Sequence, residues 1–233
     1  MLSEPPASIV GPKRPYWTPA GVEGCPYGVI VSAICAGEVP APVLDSMHVL
    51  ERDHASAMGE DRRREWLGGR LCLSDALART ETARSPLLPL PSGAPNVPAG
   101  SLGSISHKGP LVVAVAARGS GGIGVDIECS ESGDETLIDR VLTAAERLAL
   151  DQGDRDSPMT ATLYFSAKEA IYKAMPARNQ PEIDFAQIEL SSPLLASTRG
   201  WMTASARVKS MDRAVQVAVL LDSDWVIAAA RRT

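Results

Sequence analysis

Apolar and polar positions alternate with a period of two in several short stretches of this chain, the spacing of half-buried strands. "YGVIVSAI" (27–34) is a β-branched apolar run, and "LGSISHKGPLVVAVAAR" (102–118) reads as strand, turn at Lys108-Gly109-Pro110, and strand. "GSGGIGVDIE" (119–128) is a glycine turn entering a strand on which Ile123, Val125 and Ile127 share one face. "FAQIEL", "WMTASARV", "AVQVAVLL" and "WVIAAAR" supply further strands near the C-terminus. The helical period replaces this pattern from about Ala41 to Arg79, from Thr136 to Leu150 and from Ser157 to Met175. Residues 85–100 hold too many prolines for either element and read as a loop, and 1–24 as an irregular arm.

These elements describe an α+β protein. "LVVAVAARG" (111–119) and "WVIAAARRT" (225–233) match in character position by position, each after a charged helix. A duplicated α+β unit with a pseudo-twofold axis and a cleft between halves 1–120 and 121–233 would produce this echo; so would chance similarity of two buried strands.

Composition adds modest limits. The chain has 233 residues, 45% of them apolar and 22% charged, as in ordinary globular proteins. A net charge of −5 argues against a general nucleic-acid or anionic-membrane binder. Basic and acidic residues balance up to Gly121; the deficit follows it, much of it between Asp126 and Asp156. Cys25, Cys35, Cys72 and Cys129 form no CxxC pair, and with three histidines they suit reduced thiols better than zinc. No signal pattern or membrane-length apolar run is present, so a cytoplasmic protein is expected.

Gly119, Gly121 and Gly124 satisfy G-x-G-x-x-G, with Asp139 twenty residues past the first. A dinucleotide site needs a helix N-terminus at that motif to meet the pyrophosphate. Here the motif runs into "IGVDIE", a strand, which disfavours a nicotinamide-dependent oxidoreductase.

Asp126 and Glu128, one residue apart on that strand, point to the same face and repel unless a positive group lies between them. An exposed polar strand face is one reading; a hard divalent cation is the other. On a helical wheel of "YFSAKEAIYKA" (164–174), Ala167, Ala170, Ile171 and Ala174 form a core face. Phe165, Glu169 and Lys173 line the opposite face, with Ser166, Lys168 and Tyr172 at its margins. Glu169 and Lys173 have the spacing of a surface ion pair. Ser166 and Glu169 fit a capping box, but Ser157-Pro158 is the better helix start and frees Glu169. Asp126, Glu128 and Glu169 together suit Mg²⁺, which takes oxygen ligands and is often completed by substrate phosphates. Lys168 and Lys173 would add positive charge for phosphoryl transfer. Ser106 and His107, beside Lys108 at a strand end, are either structural or part of a phosphate pocket. Arg62 and Arg70 lie two helical turns apart, as a phosphate grip or a solvated basic face.

"RRREWLGGRLC" (62–72), "GSISH" (103–107), "GVDIE" (124–128) and "FSAKEAIYKA" (165–174) occur in that order. Together they resemble the 4′-phosphopantetheinyl transferases of the surfactin/enterobactin synthetase-associated type, whose paired signature is G-[IV]-D-x-E and [FW]-[ST]-x-K-E-[AS]-x-x-K. The resemblance implies a monomeric pseudo-dimer of two α+β halves with coenzyme A in the cleft. It implies transfer of the 4′-phosphopantetheine arm to a serine of an apo acyl, peptidyl or aryl carrier protein, releasing adenosine 3′,5′-bisphosphate. A polyketide or nonribosomal peptide carrier is the expected partner. Carried over by motif, Asp126, Glu128 and Glu169 would hold Mg²⁺, Lys173 would stabilise or protonate the leaving phosphate, and Lys168 would contact phosphate. Ser106 and His107 would bind the 3′-phosphate, supported by Arg62 and Arg70, and the base is either Glu169 or a metal-bound water. Relatives carry a basic residue and a Pro-x-Trp-Pro-like stretch before the His segment; "PSGAPNVPAG" has neither, so the adenine end has no assigned contact. The alternative is a non-catalytic homologue that holds coenzyme A or a carrier protein.

Overall fold

The computed structural model describes residues 22–233 apart from 36, 177–179, 181–182, 199, 210, 212–213 and 223. Most of the expected N-terminal arm therefore lies outside the described residues. After a 3-10 turn at Val22–Gly24, strand β1 (Val29–Ile34) leads into helices α1 (Ala41–Ser46), α2 (Val49–Ser56) and α3 (Glu60–Arg79). The proline loop follows, then β2 (Ser101–Lys108) and β3 (Leu111–Arg118), joined at Gly109, whose φ of 56° favours glycine. These strands make a three-stranded antiparallel sheet in the order β1-β3-β2.

The chain then crosses the glycine turn and enters β4 (Gly122–Cys129). Gly119 and Gly121 there have φ of 118° and 99°, so the motif is a strand-to-strand turn and no helix begins at it. The single helix expected over 136–150 is broken into α4 (Glu135–Val141) and α5 (Ala144–Ala149), followed by α6 (Gln152–Arg155). Thr143 is the physical reason: its hydroxyl accepts from Glu146 N while Glu146 reaches back to Thr143 N, a reciprocal cap that starts a new helix. Helix α7 (Pro158–Ala174) begins with Pro158 after Ser157, as expected, although the Ser157 side chain makes no capping bond. Strands β5 (Ile188–Leu190), β6 (Trp201–Val208), β7 (Val215–Leu221) and β8 (Trp225–Arg232) complete the chain. The second sheet has the order β4-β8-β7-β6-β5.

The two sheets pack face to face between helices, giving a four-layer α+β arrangement. Alternation assigns each layer. Val113 and Val115 of β3 meet Val125 and Ile127 of β4, with Ile227 and Ala229 of β8, in the core between the sheets. Val112, Ala114 and Ala116 face Cys72, Leu73 and Ala76 of α3. Val217 and Val219 of β7 and Ala228 and Ala230 of β8 face Ala167, Ala170 and Ile171 of α7. The edge strands β2 and β4 face each other across the junction, where Val125 N donates to Ser104 Oγ at 3.1 Å. Among the described residues no helix is long and apolar enough to cross a membrane, and all four cysteines are free.

Helix α7 crosses β4 unusually closely, and glycine makes this possible. A methyl group added at Gly124 would overlap the Ala170 carbonyl oxygen, and one at Gly122 the Ala174 carbonyl oxygen. Gly124→Ala is therefore expected to cost about 1–3 kcal/mol by overpacking. Urea unfolding measures that loss; unchanged stability would show that α7 lifts off β4 without cost.

Candidate functional site

With Val125 and Ile127 turned to the inter-sheet core, the period of two turns Asp126 and Glu128 toward α7. Their partners on α7 follow from its wheel: Phe165, Glu169 and Lys173 lie on the open side, and Ala167, Ala170 and Ile171 are fully buried. The end of β2 closes the third side. Ser106, His107, Asp126, Glu128, Glu169 and Lys173 thus line one cavity of about 430 Å³, with Ile105 and Phe165 as its apolar walls. Phe165 is braced edge-on by Phe185, with ring centroids 5.5 Å apart.

A polar triangle joins the three elements. Lys173 Nζ donates to Asp126 Oδ1 at 2.7 Å and to Ser106 Oγ at 2.9 Å, and Ser106 Oγ donates to the same Asp126 oxygen at 2.9 Å. Asp126 is 4% exposed, and its other oxygen, Oδ2, is buried without a hydrogen-bond partner. Leaving a buried carboxylate oxygen unpaired costs free energy unless a ligand meets it. Burial pushes the Glu169 carboxyl up; Lys173 pulls it down, and Asp126 and Glu128 push it further up. The pocket is therefore a desolvated acidic wall facing a lysine, where a cation and an anionic ligand would offset each other's cost.

The donor set fits a hard divalent ion: three carboxylates on one cavity, one of them presenting an orphaned oxygen. As the side chains stand, no three His, Cys, Asp or Glu residues among the described ones are gathered tightly enough to enclose an ion. Glu128 is instead ion-paired to Lys108.

At the rim, the Arg62 guanidinium donates to His107 Nε2 at 3.2 Å, and Glu65 lies 3.5 Å from Arg62 and 3.8 Å from His107. Arg62 is thereby beside the pocket, but Arg70 is not. A spacing of eight residues rotates the second side chain by roughly 80° relative to the first. Arg70 consequently packs inside: it is 7% exposed, donates from Nε to Leu87 O at 2.8 Å and stacks 4.4 Å over the Trp66 ring. Burial lowers its pKa to about 10. The expected phosphate grip by Arg70 is corrected to an anchor for the proline loop.

Lys168 requires a similar correction. It is wholly buried, with Nζ donating to Glu146 Oε2 at 2.7 Å, Val141 O at 2.7 Å and Phe185 O at 3.1 Å. Its ammonium faces α4, α5 and the turn at Phe185, away from the cavity, so it has no free donor for phosphate. Ser166, expected at the helix margin, is buried as well. Sequence reasoning assigned no role to Glu65 or Ile105. The alternation along "GSISHK" is the one signal for Ile105, and none pointed to Glu65.

Comparison with known proteins follows the same order of segments. A profile described as the 4′-phosphopantetheinyl transferase N-terminal domain matches residues 50–117, and one described as the 4′-phosphopantetheinyl transferase superfamily matches 122–230. Enterobactin synthase component D of Salmonella typhi is 33% identical over 147 residues, 62% of this chain and 62% of that protein. 4′-Phosphopantetheinyl transferase Svp of Streptomyces mobaraensis is 33% identical over 145 residues, 60% of this chain and 59% of the relative. Enterobactin synthase component D of Escherichia coli (strain K12) is 35% identical over 129 residues, 54% and 60% of the two chains. The matches thus span about three fifths of the length of these curated relatives.

Proposed function

Because the chain belongs to the 4′-phosphopantetheinyl transferase superfamily, we propose that it transfers the 4′-phosphopantetheine arm of coenzyme A to a serine of an apo carrier protein. The carrying observation is the cavity that gathers Ser106, His107, Asp126, Glu128, Glu169 and Lys173 from three elements. The serine oxygen attacks the phosphorus that bears the arm, the bridging P–O bond breaks, and adenosine 3′,5′-bisphosphate leaves.

Asp126, Glu128 and Glu169 are the residues that would hold Mg²⁺, whose charge offsets that of the diphosphate. Lys173, held by Asp126 and Ser106, presents its ammonium to the departing phosphate, where negative charge develops. Glu169 holds its proton more tightly than an ordinary carboxyl, which suits accepting one from the carrier serine. His107, backed by Arg62, would meet the coenzyme's 3′-phosphate.

We further read residues 1–120 and 121–233 as two related halves of one cytoplasmic monomer. The carrier belongs, in this reading, to polyketide or nonribosomal peptide assembly. The names of two of the relatives, which refer to enterobactin synthase, support that context.

Incubation with coenzyme A, Mg²⁺ and an apo carrier protein should add one phosphopantetheine arm to the carrier by intact mass. Coenzyme A binding with no mass gain on any carrier tried would overturn the catalytic reading in favour of a binding homologue. Lys173→Ala should lower kcat more than it raises KM for coenzyme A, since its charge acts mainly as the leaving group departs. A change confined to KM would make Lys173 a ground-state contact only.

A further inference from the structure

We propose that Lys108 is a built-in counter-cation for Glu128, which a divalent ion has to displace, so that this side chain sets the metal concentration at which the pocket loads. The proposal deepens the functional reading above and rests on its assignment of Glu128 to the metal.

Lys108 is the last residue of β2, paired across the hairpin with Leu111 at a tight turn. That hairpin delivers its ammonium to Glu128 Oε2 on the facing strand. Both β4 carboxylates therefore hold a lysine, but the two pairs are built differently. Lys173 is anchored twice, by Asp126 Oδ1 and Ser106 Oγ, and its Asp126 partner keeps Oδ2 available for an ion. Lys108 is 43% exposed in its side chain, and Glu128 is its one ion-pair partner among the described residues. An ammonium with a single partner and a path to water is the easier one to move.

Electrostatics gives the direction. An ion approaching Glu128 meets a carboxylate whose charge is already offset by Lys108. Either the ammonium swings out to solvent or the ion binds beside a like charge. Both weaken binding, and both disappear when the lysine is neutral. At the near-aqueous screening of a half-exposed side chain, one positive charge a few ångström from a divalent ion is worth about tenfold in affinity. Lys173 is not equivalent, because Asp126 can accept an ion through Oδ2 without releasing it.

Mn²⁺ is the probe, titrated into the full chain without coenzyme A at fixed pH and ionic strength and followed by the paramagnetic resonance of the free ion. Lys108→Met should tighten Mn²⁺ binding about tenfold, Lys108→Arg should bind like the parent, and the gain should shrink with added salt. Glu128→Gln should weaken binding. If Lys108→Met binds as the parent does, or more weakly, while Glu128→Gln is impaired, the counter-cation role is overturned and the metal assignment stands. If the parent takes up no Mn²⁺ at millimolar concentration, both are overturned. Circular dichroism confirms folding of each variant, and Lys108→Gln, which also lacks the charge and should tighten binding likewise, takes the place of the Met variant should that one fold poorly.

Discussion

Glu169→Gln is expected to slow phosphopantetheine transfer by at least about a hundredfold and, at neutral pH, to stabilise the empty fold. Both effects follow from one environment. The Glu169 carboxyl is pushed up by burial first, with Asp126 and Glu128 adding repulsion that Lys173 only partly offsets. A carboxyl raised in the folded chain binds its proton to higher pH there than in the unfolded chain. The Glu169 contribution to stability is therefore greatest below the ordinary carboxylate range and is lost as pH rises through the raised value. Glutamine cannot ionise, so the variant escapes that fall, while losing the charge that a metal or a serine proton needs. Melting temperature against pH, read beside intact-mass transfer, separates the two effects. A variant with parental transfer would remove Glu169 from the machinery; one with the parental pH slope would refute the burial argument.

Lys168→Met is expected to cost about 3–5 kcal/mol, because it strands Glu146 as an unpaired buried charge. Glu146 is 3% exposed and lies at the centre of a network: Oε2 takes Lys168 and Thr143 N, and Oε1 takes Leu190 N at 2.9 Å. Those bonds tie α5, α7 and β5 together one residue before Glu169, so the network sets the rotation of the helix that carries the pocket's acid. Adding Glu146→Gln to Lys168→Met removes the charge but keeps an acceptor for Leu190, and should restore most of the loss. Urea unfolding of the single and double variants tests this. A phosphate-binding Lys168 would give the opposite pattern: intact stability with weakened coenzyme A binding.

The contrast between Lys168 and Glu169 shows what was legible in the sequence. Strand alternation turned Asp126 and Glu128 to one face without any tertiary knowledge, and the wheel of α7 put Phe165, Glu169 and Lys173 together correctly. Lys168 sat at a margin, where phase alone decides little. Its fate depended on Glu146, a partner distant in sequence that no local pattern reveals. The break at Thr143 was missed because apolar periodicity runs through it; only the Thr143–Glu146 pair marks the new start. Arg70 was misplaced by treating eight residues as a whole number of turns, and the buried Trp66 decided the side it took. The glycine motif was read correctly, because β-alternation after it outweighed the resemblance to a nucleotide loop.

Strand β4 lies at the edge of its sheet, and its one strand neighbour there is β8, with Asp126 opposite Ala228 and Glu128 opposite Val226. The acidic strand and the strand that backs it are thus made at opposite ends of the C-terminal half. During synthesis β4 emerges early, yet its ladder cannot form until residues 225–232 leave the ribosome, a late long-range closure of the kind that slows folding. A nascent chain lacking residues 225–232 would hold its acidic strand only through α7, β2 and β3, with no ladder neighbour in its own sheet, so the backbone of that strand is fixed last.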